Sequence, residues 1–274
     1  MNTFGPFQNY PSIKQSFGLL GFVILFTLLI SLVAIAMSAL ISTSTNGIAG
    51  QSFLTNSWTS LFLYSIPFLL TLWWGITQKK RKEPEYSYRF RPVPLLQAGL
   101  IIISTLCIYF IIDPLVELLP MPEFIEKMFM ELLSKRNLPT FLLLVIAAPI
   151  LEEMLCRGII LDGFLKIYNP GKAIIWSAVI FGLMHLNPWQ FISAFGLGLY
   201  MGWLYHTTGS LSSTILVHAI ANGFSFLVAL FYPYEFKSTR DLVGNHYIYF
   251  AILAVCIGLL FWSTHLIKRM YRKD

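Results

Sequence analysis

Long apolar stretches alternate with short polar connectors along the whole chain. A helix needs about 20 mostly apolar residues to span a bilayer. Eight stretches are candidates: roughly 17–41, 57–77, 94–112, 139–165, 172–186, 189–206, 209–231 and 246–267. Backbone in lipid must satisfy its own hydrogen bonds, which favours helices. The pattern therefore predicts an all-α fold, a polytopic membrane helix bundle of about eight transmembrane helices. The fourth to seventh stretches are less purely apolar than the first three. Helices that carry polar groups are usually shielded by their neighbours. Those four are expected to form the core, with the first three and the eighth as an outer shell.

Composition sharpens this picture. Of 274 residues, 56% are hydrophobic and 12% charged, whereas soluble domains carry about a quarter charged residues. The net charge of +6 does not point to nucleic acid, because the basic residues sit in short clusters beside apolar spans. Loop 78–93 holds Lys79, Lys80, Arg81, Lys82, Arg89 and Arg91, and the tail holds Lys268, Arg269, Arg272 and Lys273. Both read as cytoplasmic by the excess of Lys and Arg near helix ends. With eight spans both termini then fall inside, as do Lys166 and Lys172. The run from Phe17 to Ile41 is too long for a cleavable signal peptide and is expected to remain as the first membrane helix. The basic loops and compact length suggest a prokaryotic inner-membrane protein. Cys107, Cys156 and Cys256 lie within apolar runs and offer neither a disulfide framework nor a paired metal motif.

These readings divide the chain into shell helices at 1–112, an extracytoplasmic connector at 113–138, a core at 139–231, and a last helix with a basic tail at 232–274. In the connector, Phe124, Ile125, Met128, Phe129 and Leu132 fall at helical spacing, which predicts a helix lying in the membrane interface.

Ionisable groups inside lipid cost several kcal/mol and mark function by default. The core stretches contain Glu152, Glu153, Arg157, His185 and His218, together with Asn222. Glu153 and Arg157 are i and i+4 and can pair. Glu152 lies about 100° away around the helix and is left to face a polar cavity, where desolvation suits a carboxylate to general-base work. His218 and Asn222 are also i and i+4, so both point into one site and could donate hydrogen bonds to a developing oxyanion. The Glu153–Arg157 pair alone could simply join helices, and a lone His185 could be a satisfied interhelical hydrogen bond. Taken together, the two glutamates, two histidines and the asparagine need a shared polar cavity, since each requires partners in a dry medium.

Glu152-Glu153-Met-Leu-Cys-Arg157 resembles the EExxxR motif of the CPBP family, the CAAX prenyl endopeptidases and the bacteriocin-processing and immunity proteins. Phe181-Gly-Leu-Met-His185 is similar to its FxxxH motif, and His218-Ala-Ile-Ala-Asn222 to its HxxxN motif. All three occur in the family's order within 139–231, and no shell helix carries a motif. The resemblance implies an intramembrane peptidase of glutamate type, a family formerly classed as metalloprotease. It implies that Glu152 activates water with help from His185, and that His218 and Asn222 stabilise the oxyanion. Glu153, Arg157 and Phe181 would be supporting residues. No cofactor is expected. There is no HExxH spacing for zinc, although Glu152, His185 and His218 could supply three ligands and leave a metal-dependent variant open. Eukaryotic members of the family cleave prenylated proteins, but nothing in this chain reports a prenyl group. The expected partners are a peptide or protein substrate reaching the site from the membrane or cytoplasm, and the lipid bilayer.

Two other classes remain open on sequence. One is a proton-coupled transporter, against which the polar groups crowd into one half with no matching repeat. The other is a non-catalytic immunity or scaffold protein. Depth can also be estimated from the helical rise of 1.5 Å. Glu152 lies 13 residues past Pro139, His218 lies 9 past Gly209, and His185 lies 13 past Lys172. These spacings predict a cavity in the cytoplasmic half, opening to the cytoplasm or the inner leaflet.

Overall fold

The computed structural model describes residues 9–44, 48–231 and 238–272; Lys273 and the polar N-terminal residues 1–8 lie outside them. The described residues form helices and no strand. In chain order the helices are α1 (Ile13–Ser44), α2 (Ile48–Thr55), α3 (Ser57–Lys82), α4 (Leu95–Glu117), α5 (Glu123–Ser134), α6 (Leu138–Ile167), α7 (Pro170–Leu183), α8 (Pro188–Thr208), α9 (Leu211–Phe231), α10 (Thr239–Val243) and α11 (His246–Met270).

Asparagine starts five of these helices. Asn56, Asn137, Asn169, Asn187 and Asn245 each accept a hydrogen bond from a backbone N–H of the first turn of α3, α6, α7, α8 and α11. An N-cap of this kind satisfies a donor that the helix itself leaves free. Pro139, Pro170 and Pro188 follow at the first turn, where a missing N–H costs nothing. Gly209, at φ +62°, ends α8 in the left-handed conformation that glycine adopts without strain.

All eight expected spans exist as helices. Six of them, α1, α3, α4, α6, α9 and α11, are long and apolar enough to cross a membrane. The other two are α7, with 14 residues, and α8, with 21 residues. Contacts fix how the eight run. At one end Asn9 donates to the carbonyl of Lys166, Arg91 to that of Thr208, and Gln97 to Ser213, while Tyr271 donates to Gln97. At the other end Asn137 donates to Ser57, Lys135 to the carbonyl of Thr55, and Trp189 to that of Leu119. The eight helices therefore alternate in direction. The start of the first and the end of the last lie at the same end as loop 83–93, Lys166, Lys268 and Arg269.

The core is built on α6. Leu155, Ile159 and Phe164 pack with Leu19, Phe68 and Leu72 of α1 and α3 on one side. Cys156 packs with Ile101, Phe181 and Met201 on the other. The central stretch of α6 is 44% buried, more than that of any other candidate span. One expectation shifts: 39% of the residues in an apolar 18-residue stretch of α4 are buried against 22% in that of α9, so α4 is no simple shell helix. Its Gln97 and Ser104 bond to Ser213 and Ser263 across helix interfaces, and polar pairs of this kind pull helices together in an apolar medium. In the connector, α5 is helical as predicted, and Phe124 is exposed. The side chains of Met128, Phe129 and Leu132 lie outside the described residues.

Candidate active site

Helix α6 is not regular. Leu142–Ala147 and Met154–Leu161 are wound as wide turns with i→i+5 hydrogen bonds, flanking the short α-helical stretch that carries Glu152 and Glu153. Pro149 supplies a local cause for the first, because it has no N–H to give to the preceding turn. The N–H of Ala148 bonds the carbonyl of Leu143. Leu144 is left without either regular backbone donor, since Ala148 is engaged and Pro149 has none. The Leu144 carbonyl accepts instead from Asn222 Nδ2 of α9 at 2.8 Å. Wide turns of this type often sit at functional sites.

The two glutamates diverge as their spacing requires. Glu153 is fully buried and pairs with Arg157 at 2.7 Å, the partner expected from i,i+4 spacing. Arg157 also donates to the Gly198 carbonyl at 3.0 Å and lies 4.5 Å above the Phe181 ring. The same Glu153 Oε1 lies 3.2 Å from His218 Nδ1. With Nδ1 donating to that carboxylate, Nε2 is the nitrogen left to serve the site. Glu152 turns the other way. It is 7% exposed, and its Oε1 accepts a hydrogen bond from the Tyr64 hydroxyl of α3, while its Oε2 has no partner among the described residues.

His185 lies just past the end of α7, in a turn that leads to Leu186 at φ +56°. Its Nδ1 is 3.0 Å from the Phe181 carbonyl. Phe181 stands edge-on to both imidazoles, with ring centroids 5.3 Å from His185 and 5.4 Å from His218. The FxxxH phenylalanine thus packs against both histidines and carries the Arg157 guanidinium on its face.

His185, His218 and Asn222 line one cavity of about 290 Å³, with Phe181, Gln190 and Ser193 among its other walls. Glu152 is not among the lining residues. The cavity's α4 wall runs from Thr105 to Val116 and its α8 wall from Gln190 to Leu197. Both belong to the halves of those helices away from the basic loops. The cavity therefore lies farther from the basic end than the depth estimate has it. The lining residues show why: His185 lies past the last turn of α7, and Asn222 lies one turn beyond His218 and bonds Leu144 near the start of α6. Among the described residues, no three His, Cys, Asp or Glu side chains converge to hold a metal ion.

Tyr64 could not be found from sequence. It is one of 13 tyrosines, lies 88 residues before Glu152, and belongs to none of the three motifs.

Fold and site together define a multi-pass helical membrane protein with a polar His/His/Asn cavity beside a buried Glu–Glu–Arg helix. Comparison with known proteins agrees with that class. Residues 134–224 match the family described as type II CAAX prenyl endopeptidase Rce1-like. The membrane-embedded CAAX protease MroQ of Staphylococcus aureus (strain USA300) is 29% identical over 114 residues. That match covers 39% of this chain and 46% of the relative, so the chain spans about half the length of the curated relative it matches. No solved structure matches. Both findings support the resemblance read from the three motifs, that of a CPBP family protease.

Proposed function

We propose that this protein is an intramembrane endopeptidase that hydrolyses a peptide bond in a peptide or membrane-associated protein. Glu152, with His185, activates the water. The water's proton passes to Glu152 Oε2 as its oxygen bonds to the scissile carbonyl carbon. His218 and Asn222 stabilise the resulting oxyanion, a type of interaction that often supplies the largest single catalytic effect. The proton then goes to the leaving nitrogen as the C–N bond breaks. This chemistry needs no metal. Glu153 and Arg157 hold the helix and, through Glu153, the His218 ring.

The observation that carries this reading is the convergence of His185, His218 and Asn222 on one cavity. The unpartnered Oε2 of Glu152 adds support, because a buried carboxylate oxygen without a partner is a natural seat for water. The substrate is proposed only by class, and the bilayer is its route of approach. We place both termini in the cytoplasm, because the basic clusters gather at the end of the bundle that holds Asn9 and Arg272, and we infer a prokaryotic cell from the basic loops and compact length.

The experiment compares wild-type protein with Glu152→Gln in detergent on a quenched-fluorescence peptide library. The amide keeps the shape of the side chain but cannot take the proton. Loss of turnover in a folded, inserted variant is the expected result, and wild-type turnover would remove Glu152 from the mechanism.

A further inference from the structure

The contact between Tyr64 and Glu152 points to a residue that the three motifs do not contain. A general base gains from being held in the right geometry with an oxygen left within reach of the water. Glu152 shows both conditions. Oε1 is engaged by the Tyr64 hydroxyl, and Oε2 is buried without a partner among the described residues. Tyr64 is itself fixed, since its ring stacks on Phe68 at 5.0 Å and 27° and packs against the core formed around α6. Phe68 is buried, and α3 packs along α6. The donor thus comes from a helix outside the motif-bearing core, and Tyr64 is not among the residues that line the His/Asn cavity. An ionised carboxylate in so dry a place needs a donor, because an unpaired buried charge is costly.

We propose that Tyr64 is a positioning residue for the peptidase reaction: its hydroxyl anchors Glu152 Oε1 and leaves Oε2 as the proton acceptor. Tyr64 keeps its own proton throughout and touches no substrate. The inference rests on the reading of Glu152 as the base.

The test is Tyr64→Phe, which keeps the ring and its stacking and removes only the hydroxyl. Two readouts are taken on purified full-length protein in detergent. The first needs no substrate: the infrared band of the Glu152 carboxyl group, assigned by its loss in Glu152→Gln, should shift in Tyr64→Phe. The second is steady-state kinetics on a peptide that wild type cleaves from the quenched-fluorescence library. The expected result is a kcat lower by about 10-fold to 100-fold, the range for a misplaced catalytic group, with KM and thermal midpoint close to wild type. A purely structural tyrosine would lower the midpoint and leave kcat per folded molecule unchanged. An unmoved carboxyl band, or an unchanged kcat, overturns the proposal even when Glu152→Gln is inactive. Wild-type turnover by Glu152→Gln overturns the base assignment instead, so the two failures are distinguishable.

Discussion

His218 Nδ1 lies 3.2 Å from Glu153 Oε1, the same oxygen that receives Arg157 Nη1 at 2.7 Å. One carboxylate oxygen therefore joins α6 and α9 and ties a structural ion pair to an imidazole of the candidate site. A carboxylate behind a histidine fixes which ring nitrogen carries the proton and how the ring is turned.

From this arrangement, Glu153→Gln and Arg157→Met should each destabilise the protein strongly. Removing one member of a buried pair leaves an uncompensated charge and costs about 3–5 kcal/mol. The double variant should recover more stability than either single one, as read in a double-mutant cycle of unfolding in detergent. Additive losses would count against direct pairing. Glu153→Gln should also lower turnover beyond its effect on the folded fraction, because His218 loses its partner.

A second buried pair makes an ordered prediction. Lys79 has no exposed side-chain surface and lies 2.9 Å from Asp162. Asp162 also meets Lys166 at 2.8 Å and Arg89 at 3.7 Å, whereas Lys79 otherwise reaches the carbonyls of Tyr10 and Ile159 and lies 4.7 Å from the centre of the Tyr86 ring. Asp162→Asn strands a buried ammonium and should cost about 3–5 kcal/mol. Lys79→Met leaves Asp162 with two other cations and should cost less. Chemical unfolding of the two variants decides, and the reverse order would break this account.

The position of the cavity can be read with thiol chemistry. Ser193 lines the cavity and is exposed, while Ser87 sits in the basic loop. In a background lacking Cys107, Cys156 and Cys256, a cysteine at 193 should react with an impermeant reagent supplied opposite the basic loops. A cysteine at 87 should react from the basic side. Reaction of both from the basic side would restore the cytoplasmic opening expected from sequence.

Metal removal gives a further check. The proposed water activation by Glu152 and His185 requires no ion, so on that reading peptidase activity should survive prolonged chelation. Loss of activity followed by rescue with stoichiometric zinc would replace the proposed chemistry with a metal-dependent one.

The helices were largely legible, because period and length dominate in apolar sequence. The stretch 139–165 appears as Leu138–Ile167, and 57–77 as Ser57–Lys82. The extra turn of α3 was not legible. Lys79 to Lys82 read as a solvated basic loop, yet Lys79 is buried because Asp162, far along the chain, comes to meet it. Within the site, the Glu153–Arg157 pair followed from i,i+4 spacing. Tyr64 and the link from Glu153 to His218 did not, since both depend on which helices become neighbours. The depth of the cavity was missed because it was taken from Glu152, which does not line it, and from His218, at the near edge of its α9 wall, whereas the wall continues to Ser225.

The wide turn before Glu152 has a consequence for Asn222. Pro149 takes part in no reaction, yet its missing hydrogen leaves the Leu144 carbonyl open, and that opening holds the Asn222 amide by one of its two N–H groups. An alanine at 149 could close the helix ladder from its own backbone, and the amide would be free to turn. The orientation of a side chain on α9 is thus written into the imino acid of another helix, 73 positions earlier in the chain.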